Sequence, residues 1–181
     1  MCNSFNKKFL DEAARAMGDR EDSSDKGHKA FMQVAIDEAI RGVLENEGGP
    51  FGCVVVKGGR IIGKGNNRVT SSNDPTAHAE IIAIREACRN LNSFQLKGCT
   101  LYTSCEPCPM CLGAIYWARP DKVYFAGNKE DAAGVGFDDA FIYKELELEP
   151  EQRSIPFEQL HREKALKAFR EWENKEDKIE Y

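Results

Sequence analysis

The apolar positions between residues 28 and 64 predict one helix followed by a β-hairpin. After His28, apolar residues recur at the spacing of one helical face, and they are Met32, Ile36, Ala39, Ile40 and Val43. Gly48-Gly49-Pro50 predicts the end of this helix. Residues 52–57 and 60–64 then form two apolar runs around Gly58-Gly59, a pair that readily adopts the positive φ angles of a two-residue turn.

Beyond residue 73 the pattern predicts alternating helices and strands. Asp74-Pro75 is typical of a helix start. One apolar face follows it at helical spacing, made up of Ile81, Ile84, Cys88 and Leu91. Residues 99–104 predict a strand, residues 110–118 a short helix, and residues 122–126 another strand.

The two ends of the chain complete the predicted architecture. Residues 1–27 are rich in charge and predict a mobile extension, so we expect the domain to span residues 28–181. Residues 127–137 predict a loop with little regular structure. A last amphipathic helix is marked by Leu166, Phe169 and Trp172. Strands alternating with helices predict a three-layer α/β/α fold with a mixed β-sheet flanked by helices.

One histidine, one carboxylate and two cysteines have the spacing of a zinc site. His78 and Glu80 lie two residues apart near one predicted helix start, and Cys108 and Cys111 lie three apart near another. A catalytic zinc ion takes three protein ligands and leaves the fourth position to water. We therefore expect His78, Cys108 and Cys111 to bind one Zn²⁺ per chain. We expect Glu80 to carry protons between the water that zinc acidifies and a substrate.

The two motifs together are more specific than either alone. His-x-Glu followed by Pro-Cys-x-x-Cys is the established signature of zinc nucleobase deaminases. A closed structural zinc site stays open as an alternative, because Cys105 lies three residues before Cys108 and could be a fourth ligand. An iron–sulfur cluster on Cys105, Cys108 and Cys111 is a weaker alternative, because position 115 is isoleucine where a fourth cysteine is needed. We expect Cys105 to end a strand beside the site.

Composition and charge exclude several classes of protein. The chain has 181 residues, of which 41% are apolar and 30% charged, which indicates one globular domain. A net charge of -5 argues against a nucleic-acid partner, and no apolar run is long enough for a membrane span. The number of cysteines is odd, seven, and three of them cluster within residues 105–111. Without a signal sequence, this favours metal binding over disulfides and a cytoplasmic protein.

Several motifs together resemble one enzyme family. They are Gly49-Pro50-Phe51-Gly52, Asn66-Asn67, Asp74-Pro75-Thr76-Ala77-His78-Ala79-Glu80, Cys105-Glu106-Pro107-Cys108-Pro109-Met110-Cys111, Gly136-Phe137-Asp138-Asp139 and the terminal Tyr181. Through them, residues 29–181 resemble the Bacillus-type guanine deaminases of the cytidine deaminase-like zinc hydrolase superfamily. The resemblance implies hydrolysis of guanine, a purine base, to xanthine and ammonia, with zinc on the three predicted ligands and Glu80 as proton shuttle.

The resemblance also implies how the base is held. Asn67 and Phe51 would contact it, and the C-terminal segment, about residues 127–181, would be exchanged within a homodimer, bringing Asp139 and Tyr181 over the partner's pocket. These roles have a chemical sense: an amide donates to guanine O6 or N7, a carboxylate accepts from N1–H, and a phenyl ring stacks on a purine.

From the residues alone, simpler roles stay open for all four. Asn67 could end a hairpin, Phe51 could belong to the core, and Asp139 could cap a helical turn. Tyr181 could be a disordered chain end. The chain departs from the family pattern in residues 1–27 and at Cys53, where alanine is expected and where a thiol would lie close to the pocket.

Three alternative functions also remain. The first is deamination of guanosine or another nucleoside, which a tail closing over the pocket would disfavour. The second is tRNA adenosine deamination, which the acidic charge disfavours. The third is a zinc-binding interaction module without turnover. Glu80 argues against the third, since a structural site has no use for a proton carrier.

Overall fold

The computed structural model describes residues 25–180, and these fall into two compact units that divide between Asp138 and Asp139. The first unit contains α1 (Asp25–Leu44), β1 (Gly52–Lys57), β2 (Arg60–Asn66), α2 (Val69–Ser72), α3 (Ala79–Leu91), β3 (Cys99–Cys105), α4 (Pro109–Ala118), β4 (Lys122–Gly127) and α5 (Lys129–Gly134). The second unit contains α6 (Ala140–Glu147), a 3₁₀ turn (Pro150–Gln152) and α7 (Arg162–Glu173).

The four strands form one mixed sheet in the order β2-β1-β3-β4. β1 pairs antiparallel with β2 and β3, whereas β3 and β4 run parallel and are joined through α4. The predicted hairpin between β1 and β2 is confirmed, and both turn residues have positive φ, 53° at Gly58 and 73° at Gly59. The predicted last helix is confirmed as α7.

Both faces of the sheet are covered by helices, which confirms the three-layer α/β/α prediction. Successive side chains of a strand point to opposite faces, and β1 is buried on both. Val54 and Val56 pack with Phe31 and Ala35 of α1. On the other face, Cys53 and Val55 belong to a second cluster, which also contains residues of α3 and α4: Ala79, Ala83, Ala87, Ile115 and Ala118. The continuous apolar run of β1 therefore reflects burial from two sides.

Small residues bring α3 directly onto β2. Ala79, Ala83 and Ala87 recur every four residues on one face of α3 and are fully buried. Opposite them, a side chain on Gly65 would place its Cβ 2.6 Å from the Ala79 carbonyl oxygen, and one on Gly63 would collide with the Ala83 carbonyl. The absence of a Cβ at these positions therefore allows the N-terminus of α3 to lie beside the end of β2.

Two predicted local structures are wrong. Asp74-Pro75 does not start a helix: the Asp74 carboxylate accepts hydrogen bonds from the Thr76 backbone N–H at 2.8 Å and its hydroxyl at 2.7 Å, and the resulting turn delays α3 until Ala79. The predicted loop 127–137 contains α5, which begins with a reciprocal capping box between Asn128 and Asp131.

At the N-terminus of the described chain, α1 begins at Asp25, within the last residues of the predicted extension. The rest of the extension, residues 1–24, lies outside the described residues. Among residues 25–180, no helix is both long and apolar enough to span a membrane.

The second unit has no buried residue among those described. Its apolar side chains are largely exposed, including Phe141, Leu146, Leu160 and Phe169. Helices α6 and α7 therefore do not enclose a core of their own.

Candidate active site

Two helix N-termini hold the predicted zinc ligands. His78 is the N-cap residue of α3 and Cys108 is the N-cap residue of α4, where Pro109 opens the helix. Neither side chain makes a capping hydrogen bond with its own helix, so both are available to converge. Helix N-termini favour negative charge. The prediction that both pairs of residues lie near helix starts is confirmed.

The three side chains converge as a zinc-ligand set. The Nδ1 atom of His78 lies 3.5 Å from the Sγ atoms of both Cys108 and Cys111. Tetrahedral zinc, with bonds of about 2.0–2.1 Å to nitrogen and 2.3 Å to sulfur, would separate nitrogen and sulfur by roughly 3.5 Å. Within residues 25–180, this is the one group of three or more such side chains arranged to hold a metal ion. The donor set therefore fits zinc.

Cys105 lies outside this set. It is the last residue of β3, as predicted, and its thiol donates to the carbonyl of Asn128 at 3.4 Å. Burial raises the pKa of that thiol, which disfavours the thiolate that zinc needs. With three ligands and no fourth within residues 25–180, the geometry favours an open catalytic site over a closed structural one.

The three predicted zinc ligands differ in the direction in which their pKa values are shifted. A hydrogen bond from Cys111 and a weaker contribution from His78 outweigh burial and lower the pKa of the Cys108 thiol to about 4. The same hydrogen bond, together with burial, raises the pKa of Cys111. The contact with Cys108 also raises the pKa of His78. The group thus stabilises one thiolate by itself, and binding of zinc would displace the remaining protons.

Glu80 lies in the first turn of α3, beside this group. Its side chain is buried, with only 6% of the residue exposed. Burial raises the pKa of its carboxyl, although its own backbone N–H and the Cys111 thiol partly oppose this through hydrogen bonds. A carboxyl with a raised pKa holds and releases protons closer to neutral pH, which suits a general acid–base.

Asn67 presents an oriented amide. It follows the last residue of β2 and is 4% exposed. Its Oδ1 accepts from the backbone N–H of Gly49 at 3.2 Å and of Val69 at 3.1 Å. Because both partners are donors, they identify the oxygen and direct Nδ2 away from them. Among the described residues Nδ2 has no partner, so it can donate to a ligand.

Phe51 contacts Phe137, a residue of the Gly136-Phe137-Asp138-Asp139 motif to which the sequence assigned no role. The rings of Phe51 and Phe137 meet edge to face, with centroids 4.9 Å apart at 87°. Phe51 is also packed against the core cluster beneath β1, so it is partly a core residue. Gly49 lies close to both rings, since a Cβ there would lie 2.9 Å from Phe137 and 3.2 Å from Phe51.

Comparison with known proteins gives the family. Residues 25–127 match the cytidine and deoxycytidylate deaminase zinc-binding region. The chain belongs to this deaminase family. The predicted cofactor, one zinc ion, is confirmed by the family together with the His78, Cys108 and Cys111 group.

Within this family, the guanine deaminase of Bacillus subtilis strain 168 is 56% identical over 154 residues, which cover 85% of this chain and 99% of the relative. A solved structure of the B. subtilis enzyme gives a TM-score of 0.83, at 56% identity, and covers 85% of this chain and 98% of that one. The predicted resemblance and fold are therefore confirmed.

More distant deaminases match less of the chain. A structure of the guanine deaminase from Nitrosomonas europaea has a TM-score of 0.58 at 33% identity, covering 61% of this chain and 64% of that one. The tRNA-specific adenosine deaminase of Aquifex aeolicus is 46% identical over 109 residues, which are 60% of this chain and 72% of the relative.

The zinc-ligand group does not include Asp139, Tyr181 or Cys53. Asp139 is the N-cap residue of α6 in the second unit, but its side chain makes no capping hydrogen bond with that helix. Tyr181 lies outside the described residues. Cys53 is fully buried, and burial followed by the nearby Glu80 charge raises the pKa of its thiol well above the usual value. Its burial argues against a reactive thiol at this position.

Proposed function

We propose that this chain is a deaminase that hydrolyses guanine to xanthine and ammonia. The observation that carries the proposal is the 56% identity to the B. subtilis guanine deaminase, which extends over 85% of this chain and 99% of that enzyme. Adding water at C2 and releasing the C2 amino group as ammonia balances the reaction. The pathway class is the breakdown or salvage of purines.

The metal ligands of the proposed site are His78, Cys108 and Cys111. The Sγ atoms of both cysteines lie at the same distance from His78 Nδ1, and that distance matches tetrahedral zinc. The lowered pKa of Cys108 favours its thiolate form. Zinc, when bound, lowers the pKa of a coordinated water and so makes it a nucleophile at neutral pH.

Glu80 is the proposed proton carrier. Its carboxylate can take a proton from the attacking water and pass it to a ring nitrogen, and it can then transfer the second proton, from the hydroxyl group added at C2, to the departing amine. Burial supports this role, because it raises the pKa of the Glu80 carboxyl and so makes the carboxylate a stronger base. A position two residues after His78 puts the carboxyl beside the zinc ligands without making it one.

Asn67 and Phe51 are the proposed contacts to the base. The outward Nδ2 of Asn67 can donate to O6 or N7 of guanine, since Oδ1 is already held by two backbone N–H groups. Phe51 can offer a stacking surface, and its edge-to-face contact with Phe137 limits its movement.

The C-terminal segment, about residues 127–181, is proposed to be exchanged between two chains of a homodimer. In that arrangement, Asp139 accepts from N1–H of the base and Tyr181 closes the partner's pocket. Exposed apolar side chains on α6 and α7 support a partner chain, because such a surface is costly in water. Light scattering of the purified protein tests the dimer, and a monomeric mass at micromolar concentration contradicts it.

We further propose that the protein is cytoplasmic. The six free cysteines among the described residues, two of them zinc ligands, support a reducing compartment.

The runner-up functions are deamination of a nucleoside such as guanosine and, less favoured, of tRNA adenosine. The net charge of -5 disfavours a tRNA substrate. Ammonia release from guanine, guanosine, adenine, cytosine and cytidine separates these possibilities. We expect release from guanine, and release from guanosine alone contradicts the proposed free base.

A further inference from the structure

Behind Asn67 lies a buried polar network that the proposed reaction does not use directly. Its centre is Asn66, whose side chain is fully buried. Adjacent residues at the end of a strand point to opposite faces. Asn66 therefore projects towards α1, where a side chain on Gly42 would place its Cβ 2.5 Å from Asn66 Nδ2.

The amide of Asn66 uses its full hydrogen-bonding capacity. Nδ2 donates to Glu47 Oε2 at 2.7 Å and to the Asn67 carbonyl at 3.2 Å. Oδ1 accepts from Arg41 Nη2 at 2.9 Å and from Arg68 Nε at 3.3 Å. Two donors and two acceptor positions are all that a primary amide has, so its orientation is determined by four partners.

Asn66 constrains Asn67 directly and indirectly. The direct contact is the hydrogen bond from Asn66 Nδ2 to the Asn67 carbonyl; the backbone N–H of Asn67 is itself bonded to the Phe51 carbonyl at 2.9 Å. Indirectly, Asn66 donates to the carboxylate of Glu47. Glu47 lies two residues before Gly49, and the backbone N–H of Gly49 donates to Asn67 Oδ1.

Ion pairs with Arg41 also hold the loop between α1 and β1, which contains Glu45 and Glu47. Arg41 contacts the carboxylates of Glu38, Glu45 and Glu47, and its contact with Glu38 is 2.8 Å. The Glu47 carbonyl also accepts from the Ser71 N–H at 3.2 Å. An arginine held by several carboxylates is a rigid anchor, because its planar group offers five donors in fixed directions.

We infer that Asn66, supported by Glu47 and Arg41, is a positioning residue that aims the Asn67 amide at the substrate. The inference rests on the proposed function for its substrate. A displacement of about 1 Å at a substrate contact can lower the rate about 100-fold. A residue that does not touch the base can therefore affect the reaction by fixing the position of a residue that does.

Kinetics of Asn66→Asp test the inference. This change keeps the shape but removes the donors to Asn67 and Glu47, and we expect kcat/KM for guanine to fall about 10- to 100-fold, chiefly through KM, with zinc content retained. Asn90→Asp is the matched control: Asn90 also donates its amide to a β2 carbonyl, Ile62, at 2.8 Å, but on the exposed surface. Its kinetics should be unchanged.

A double-mutant cycle separates positioning from general destabilisation. If Asn66 acts through Asn67, then Asn66→Asp should cause little further loss in an Asn67→Ala background. Multiplied losses, or an unchanged Asn66→Asp enzyme, overturn the inference. Glu47→Ala, which removes one partner at a half-buried site, repeats the cycle if Asn66→Asp does not fold.

A second readout needs no substrate. The side-chain amide of Asn67 can be assigned by NMR through its loss in Asn67→Ala, and its ¹⁵N order parameter reports its mobility. We expect increased mobility in Asn66→Asp and Glu47→Ala but not in Asn90→Asp. Unchanged mobility contradicts the positioning role. If the unmodified protein does not deaminate guanine, the proposed function fails while this measurement still decides the role of Asn66.

Discussion

The two units of the chain differ in how they bury apolar side chains. In the first, Val54 and Val55 of β1 are fully buried, on opposite faces of the sheet. In the second, no described residue is buried, and Leu160 and Phe169 are 76% and 68% exposed. The first unit therefore encloses its own core, and it contains the predicted zinc ligands at the N-termini of two of its helices. The second offers apolar surface whose stability depends on further contacts.

This difference suggests that the two units have separate roles in metal binding and in substrate binding. His78, Glu80, Cys108 and Cys111 all belong to the first unit, where two helix N-termini bring them together. Asp139 and Tyr181, which the resemblance assigns to the substrate, belong to the second. We expect changes in the first unit to abolish chemistry or metal binding, and changes in the second to alter substrate affinity and assembly.

The largest expected effect is at the proton carrier. Glu80→Gln should lower kcat for guanine about 10²- to 10⁴-fold, because the amide cannot carry a proton, while zinc stays near one ion per chain. Turnover and metal analysis on the same preparation measure this. Glu106→Gln, a change at a carboxylate that accepts from the Lys129 N–H, is the control. Full activity in Glu80→Gln contradicts the proposed role.

Loss of metal should distinguish the two neighbouring cysteines. Cys108→Ser removes a low-pKa thiolate and should lower zinc content and activity together. Cys105→Ser should keep the metal, because this thiol contacts the Asn128 carbonyl instead. Equal zinc loss in both variants would restore the four-ligand structural site.

A smaller effect is expected at the C-terminus. Deleting Lys178 to Tyr181 should lower kcat/KM for guanine by about 10- to 100-fold, if Tyr181 closes the pocket as proposed. The unfolding midpoint should change little, since no residue in this stretch is buried among those described. Normal guanine kinetics in the truncated protein exclude a role for Tyr181.

The smallest expected effect concerns stability at low pH. Burial opposes ionisation of Glu38, but hydrogen bonds from Lys64 and Arg41 outweigh it and lower the pKa of the carboxyl. A lowered folded-state pKa stabilises the protein above the unfolded pKa, near 4.5, and this stabilisation is lost as pH falls through the folded value.

We therefore expect Glu38→Gln to reduce the free energy of unfolding by about 1–2 kcal/mol at pH 7. The reduction should shrink as the pH falls below 4.5. Urea unfolding at several pH values measures it. A deficit that stays constant with pH contradicts a role for the Glu38 charge.

Local patterns predicted the architecture well, because burial on one or two faces leaves a direct trace in sequence. They misplaced the start of α3, since Asp74 binds Thr76 locally instead of capping a helix. The capping box of α5 was present as Asn128 and Asp131, three residues apart, and a search for that spacing would have found the helix.

Within the site, too, some residues were predictable from the sequence and others were not. His78, Glu80, Cys108 and Cys111 were predictable, because metal chemistry restricts both residue type and spacing. The contact of Phe137 with Phe51 and the bonds of Asn66 to Arg41 and Glu47 were not. They join residues far apart in sequence, and only the fold brings them together.

The most direct test of the central claim follows the oxygen atom. The zinc-loaded protein is incubated with guanine in ¹⁸O-labelled water, and xanthine and ammonia are measured by mass spectrometry and a coupled assay. Hydrolysis at the proposed site predicts xanthine that carries one labelled oxygen, with one ammonia for each xanthine. No xanthine from fully zinc-loaded protein, or xanthine without the label, would contradict the account.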